Sequence, residues 1–238
     1  MNLTLKESLV TRSRVFSPWT AFYFLQSLLI NLGLGYPFSL LYTAAFTAIL
    51  LLLWRTLPRV QKVLVGISSL VAACYFPFAQ AYGAPNFNTL LALHSTNMEE
   101  STEILTIFPW YSYLVGIFIF ALGVIAIRRK KESEKARWNT FDSLCLVFSV
   151  ATFFVAPVQN LAWGGVFKLK DTGYPVFRFA KDIIVNNNEV IEEQERMAKL
   201  SGMKDTWTVT AVKPKYQTYV VVIGESARRD ALGAFGGH

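Results

Sequence analysis

The sequence has 238 residues, 53% of them hydrophobic and 16% charged, with a formal net charge of +7. Soluble domains average about 45–50% apolar and about 25% charged residues, so the balance points to a membrane protein. It excludes a disordered chain, which needs low hydrophobicity and high charge, and 14 Gly with 9 Pro exclude a collagen-like one.

The charges are unevenly placed. None lies between Arg14 and Arg55, Lys62 and Glu99, Glu103 and Arg128, or Asp142 and Lys168. A transmembrane helix needs about 20 largely apolar residues. The first gap is long enough for two, divided at Asn31-Leu32-Gly33-Leu34-Gly35-Tyr36-Pro37, a turn signal. The pattern predicts five spans, near 15–31, 36–54, 61–81, 106–127 and 142–163. Basic residues mark alternate connections: Lys6, Arg12 and Arg14, then Arg55, Arg59 and Lys62, then Arg128 to Lys131 with Lys135 and Arg137. The loop between spans 1 and 2 has none, and the loop at 82–104 carries Glu99, Glu100 and Glu103 instead. Lys and Arg favour the cytoplasmic side, so the N-terminus is expected inside and the tail outside. Trp54 and Trp138 fall at inner ends and Trp110 and Trp163 at outer ends, as interfacial aromatics should. Basic residues divided among loops give no nucleic-acid footprint. Cys74 and Cys145 are expected at different depths, unpaired, as buried small apolar residues.

After Gly164-Gly165 the composition becomes that of a soluble protein. Residues 175–200 suggest helices with Phe177, Phe179, Ile183 and Ile184 as an apolar group, interrupted at Asn186-Asn187-Asn188. Glu189–Lys199 is then a solvated, charged helix. A linker helix on the bilayer surface is preferred over a binding site. Two strand-like runs follow, Trp207–Val212 and Thr218–Ile223; the second is continuously apolar, as in a parallel sheet buried on both faces. It ends in Gly224-Glu225-Ser226, and ligands of open α/β sheets bind beyond such strand ends. The chain then ends at His238, too soon for neighbouring strands and covering helices, so a fragment or a poorly ordered end is expected. Gly224, Gly233 and Gly236 do not make the Gly-x-Gly-x-x-Gly of dinucleotide sites.

The run Val220-Val221-Val222-Ile223-Gly224-Glu225-Ser226-Ala227-Arg228-Arg229-Asp230, behind five spans and a bridging segment, resembles the opening signature of the bacterial inner-membrane phosphoethanolamine transferases of the alkaline phosphatase/sulfatase superfamily. The resemblance implies an α-helical polytopic membrane domain over 1–165 and a bridging amphipathic helical segment over 166–205. Residues 206–238 would be the start of a periplasmic α/β sulfatase-like domain. It implies a zinc-dependent enzyme moving phosphoethanolamine from phosphatidylethanolamine to lipopolysaccharide or another periplasmic acceptor, through a phosphorylated enzyme. Glu225 matches a family zinc ligand, and a carboxylate oxygen suits Zn²⁺. The family's threonine nucleophile and its later Asp-His ligands have no counterpart, so no catalytic residue is assigned. A truncated, inactive product, even a pseudogene, is expected, with no zinc held by this chain alone. The end departs from the family pattern, with Gly233 where Ser is usual and Gly237 where an aromatic is.

Ser95-Thr96-Asn97-Met98-Glu99-Glu100-Ser101 resembles the family's Glu-Thr-Asn-x-x-Glu-Ala loop, thought to help hold the lipid donor. Thr96, Asn97 and Glu100 match, with Glu100 suited to pair with the ethanolamine ammonium; Ser95 and Ala92 depart. The same residues equally suit a helix N-cap with acids in its first turn. His94 is expected as an interfacial residue, not a ligand. The alternative is a non-enzymatic multi-pass protein, a scaffold or transporter. Its intramembrane polar candidates are Gln26, Gln80, Gln159 and Asn160, and no span carries a charge at mid-depth.

Overall fold

The structure, a computed structural model, describes residues 17–130 and 138–203. They form eight α-helices: α1 Pro18–Gly33, α2 Leu40–Thr56, α3 Pro58–Tyr82, α4 Phe87–Ser95, α5 Met98–Ile107, α6 Trp110–Arg128, α7 Thr140–Ala162 and α8 Pro175–Ser201. A 3-10 turn, Leu169–Asp171, precedes α8. The described residues through Met197 belong to one compact unit. The strand-like runs, Glu225 and the domain they were expected to begin lie outside the described residues.

Each predicted span coincides with a helix. α3, α6 and α7 are long and apolar enough to cross a bilayer, with mean hydropathies of 1.7, 2.1 and 1.9; α2 is a shorter apolar helix of 17 residues and α1 has 16. Within the apolar stretches of the three long helices only 28–33% of residues are buried. Side chains such as Ile67, Ile117 and Val147 face outward at 60–65% exposure. A continuous apolar exterior of this kind suits a lipid surface rather than water.

Polar pairs fix the registers. Ser27 meets Thr47 (3.2 Å) and Asn31 meets Thr43 (3.0 Å), so α1 and α2 run antiparallel. Tyr23 meets Gln61 (3.3 Å) and Gln26 meets Ser69 (3.0 Å), so α1 and α3 run parallel. Such bonds act as glue between helices where lipid supplies no hydrophobic drive. Of the four polar span residues singled out, Gln26 alone is interior; Gln80, Gln159 and Asn160 are exposed. α3 and α6 pack closely because α6 presents glycines. A Cβ on Gly116 would stand 2.7 Å from the Ala73 carbonyl oxygen, and one on Gly123 2.6 Å from Ser69 Cβ. Small residues of this kind let two backbones approach.

The end carrying the basic residues is tied by charge. Asn139 and Asp142 make a capping box at the start of α7: the Asp142 amide donates to Asn139 Oδ1 (3.1 Å) and the Asn139 amide to Asp142 Oδ2 (3.0 Å). Arg55 of α2 forms an ion pair with Asp142 Oδ1 and donates to Asn139 Oδ1 (3.0 Å). The Asp142 side chain is 3% exposed. Close by, the Arg129 guanidinium lies 4.1 Å from the Trp19 ring centre and 4.4 Å from that of Trp54, within cation–π range.

Three sequence expectations change. The expected break at Asn186-Asn187-Asn188 is absent, and α8 runs unbroken for 27 residues. Asn186 donates to the Asp182 carbonyl (2.6 Å) and to that of Pro85 (3.5 Å), and Asn187 meets His94, so these amides have partners other than their own amide groups. The apolar group is divided: Phe179 is buried and Ile183 packs on the core, while Phe177 and Ile184 are exposed. Cys145 is buried, but Cys74 is exposed on the outer face of α3; both are free.

Candidate functional site

The end opposite Arg55 and Asp142 gathers the predicted substrate residues. The stretch read as a loop at 82–104 contains α4 and most of α5. Asn86 caps α4 by accepting from the Thr89 amide (3.0 Å), and Asn97 caps α5. The Glu100 amide donates to Asn97 Oδ1 (2.9 Å), and the Asn97 amide donates to Glu100 Oε2 (3.3 Å), a complete capping box. Of the two readings left open by the sequence, the cap is therefore present. Thr96 is brought beside it, its hydroxyl donating to the Ala92 carbonyl (2.6 Å). Ser95 bonds the Leu91 carbonyl (3.0 Å).

The cap does not use up the site. Asn97 and Glu100 are exposed and Thr96 half-buried, so the capping carboxylate is open to solvent. It stands at the N-terminus of a helix, where backbone amides favour negative charge. A carboxylate oriented in this way can receive an ammonium group. His94, at the end of α4, donates from Nε2 to Asn187 Oδ1 of α8 at 2.9 Å. It therefore connects the α4–α5 segment to α8.

The first half of α8 supplies a second polar group that sequence reasoning missed. Tyr36, in the turn after α1, is 5% exposed and donates to Asp182 Oδ2 at 2.8 Å. Arg178 lies 4.8 Å from the Tyr36 ring centre and 3.5 Å from Asp182. Lys181 bridges Asp182 (3.5 Å) and Asp171 (3.3 Å). Burial, then the bond to Asp182, pushes the Tyr36 phenol well above its ordinary range. Tyr174 is likewise raised by burial, its hydroxyl 2.9 Å from the Ser149 carbonyl and 2.7 Å from the Thr152 hydroxyl. The only sequence signal for this group was the i,i+4 spacing of Arg178 and Asp182; Tyr36 lies 146 positions from its partner.

Among the described residues no three His, Cys, Asp or Glu side chains come together as a metal site. Glu225, the sequence-predicted ligand, lies outside them.

Over all 238 residues the chain is 98% identical to phosphoethanolamine transferase OpgE of Escherichia coli (strain K12), covering 45% of that protein. A candidate phosphoethanolamine transferase of Haemophilus influenzae is 24% identical over 168 residues, which are 71% of this chain and 31% of that protein. The chain thus spans less than half the length of the curated relatives it matches. No family model matches it. No solved structure matches it.

Proposed function

We propose that this chain belongs to the phosphoethanolamine transferase family and forms the membrane-embedded, donor-facing part of an enzyme that moves phosphoethanolamine from phosphatidylethanolamine to lipopolysaccharide or another periplasmic acceptor. The observation that carries the reading is the 98% identity to OpgE over every residue. In this reading all five apolar helices cross the bacterial inner membrane. The end with Arg55, Arg128 and Arg129 faces the cytoplasm, in keeping with the bias of basic residues, and α4, α5 and α8 stand on the periplasmic side. Residues 1–165 are the membrane domain, 166–205 the bridging segment, and 206–238 the start of the catalytic domain.

In the same reading Thr96, Asn97 and Glu100 meet the donor headgroup. The Glu100 carboxylate receives the ethanolamine ammonium, and the capping box keeps that carboxylate in place while the lipid exchanges. Zinc, where bound, neutralises charge on the transferred phosphoryl group; Glu225 is one residue that would hold it. Membranes containing the polypeptide that carries these residues, given phosphatidylethanolamine labelled in the ethanolamine, should pass label to an acceptor. A chelator should stop transfer and added zinc restore it. Glu100→Gln should keep the capping box, which accepts Glu or Gln, yet lower transfer at limiting donor. Transfer indifferent to both the chelator and Glu100→Gln would refute the reading.

A further inference from the structure

The connection leaving α7 carries side chains that neither the helix packing nor the α4–α5 cap uses. α7 ends in a Schellman motif: the Gly165 amide donates to the Asn160 carbonyl (2.9 Å) and the Gly164 amide to that of Leu161 (3.1 Å). Gly164 sits at φ +82°, where a side chain is strained. The reversal opens a cleft of about 340 Å³ lined by Asn160, Trp163, Gly165, Val166, Lys168 and Asp171. That volume is enough for a small polar ligand.

The lining groups set the chemistry. Lys168 is exposed and pairs with no carboxylate among the described residues. Asp171 adds a carboxylate, with Oδ1 engaged by Lys181. Trp163 offers an indole that is 82% exposed. The C-terminus of α7 contributes partial negative charge. Around the cleft Val166, Phe167 and Leu169 are 43–70% exposed, directly after an apolar helix. Exposed apolar side chains, a tryptophan and a lysine at the end of a span mark the level where hydrocarbon gives way to headgroups.

One cleft at that level therefore offers a cation, an anion and an aromatic face. A phosphodiester is attracted by Lys168, and an ammonium by Asp171, the α7 C-terminus and the face of Trp163. We propose that the cleft between the end of α7 and the 3-10 turn binds a zwitterionic phospholipid headgroup, with Lys168 on the phosphate and Trp163 and Asp171 on the ammonium. The site is separate from the Asn97–Glu100 cap. The inference rests on the membrane reading proposed above and not on the transfer reaction.

The test uses the full chain in detergent micelles doped with phosphatidylethanolamine or phosphatidylglycerol, counting lipid phosphorus retained per protein after gel filtration. Phosphatidylethanolamine should be retained in preference. Lys168→Glu should cut its retention about tenfold, Lys168→Arg should restore it, and Trp163→Ala should lower it. Circular dichroism checks the fold of each variant, and Lys168→Gln with Trp163→Phe replace any that lose helicity. Undiminished retention in folded Lys168 variants would overturn the proposal. So would equal retention of phosphatidylglycerol, which assigns the cleft to phosphate alone, or displacement by free glycerophosphoethanolamine at equal concentration, which assigns it to a soluble ester. Label transfer is measured on the same variants. Transfer without lipid retention in this cleft removes this inference alone, whereas retention without transfer in the unsubstituted chain leaves it standing and removes the proposed reaction.

Discussion

The two ends of the helix bundle are closed by different means. At one, Arg55 pairs with Asp142 and Arg129 lies against Trp19 and Trp54, so partners come from the bundle's own helices. At the other, the turn after α1 is closed by α8, through Tyr36 and Asp182. The first end joins helices of the bundle to one another. The second joins the bundle to a segment of soluble character. Charge buried within the bundle fixes its architecture, whereas the mixed hydrogen bonds of the other end position the exposed groups on which function is proposed to rest.

The largest expected effect falls on the first end. Asp142→Leu removes the carboxylate partner of a mostly buried guanidinium and one half of the α7 capping box, and should cost about 3 kcal/mol. Unfolding in detergent measured by circular dichroism gives the value; Arg55→Leu/Asp142→Leu should recover part of it. A loss below about 0.5 kcal/mol, typical of an exposed pair, would erase the contrast between the ends.

Next comes the α3–α6 contact. Gly123→Leu should cost about 2 kcal/mol, because a Cβ there already overlaps Ser69 and the backbones must part. The same readout applies, and an unchanged midpoint would show that the helices are not held this close.

Tyr36→Phe sharpens the comparison at the other end, with an expected loss of about 1 kcal/mol. The phenol is raised from its ordinary 10.0 by burial and by Asp182. Its contribution is therefore complete below pH 10 and declines as the pH rises further, since ionisation would leave a phenolate beside a carboxylate. Alkaline titration of the unsubstituted chain should show this extra loss and Tyr36→Phe should lack it; identical profiles would remove Tyr36 from the attachment of α8.

The most local effect is at the cap. Asn97→Ala should cost about 1 kcal/mol, confined to α5, and hydrogen exchange at the amides of Glu100 and Ser101 should report it. Unchanged protection at those amides would mean that the capping box does not hold α5.

Helix positions were legible because charge gaps and the turn at Gly33–Pro37 report local physics. The break between α5 and α6 was not, since Met98–Ile107 carries three glutamates yet leads straight into apolar sequence, blurring the boundary at Phe108-Pro109. The asparagine run misled because asparagine favours turns when its amide bonds its own chain. Asn186 instead bonds the Asp182 carbonyl one turn back within α8 and reaches Pro85, and Asn187 finds His94; the last two partners lie about a hundred positions away, where no local pattern reveals them. In the candidate site, Asn97 and Glu100 were visible from the likeness of their segment to the family loop and from their capping spacing. Tyr36 and Asp182 were not, because their meeting depends on how α8 returns to the bundle.

The continuity of α8 has a mechanical corollary. A helix without a joint behaves as a rod, and about 1.5 Å of rise per residue puts Met197 roughly 22 Å along it from Asp182. With no bend in between to absorb a tilt, rotating the rod by a few degrees about its anchoring carboxylate displaces Met197 by more than an ångström. The orientation of this long arm is thus set by the packing of Phe179 and Ile183 and the polar contacts of Asp182, Asn186 and Asn187 in its first half, and small changes there are amplified toward Met197.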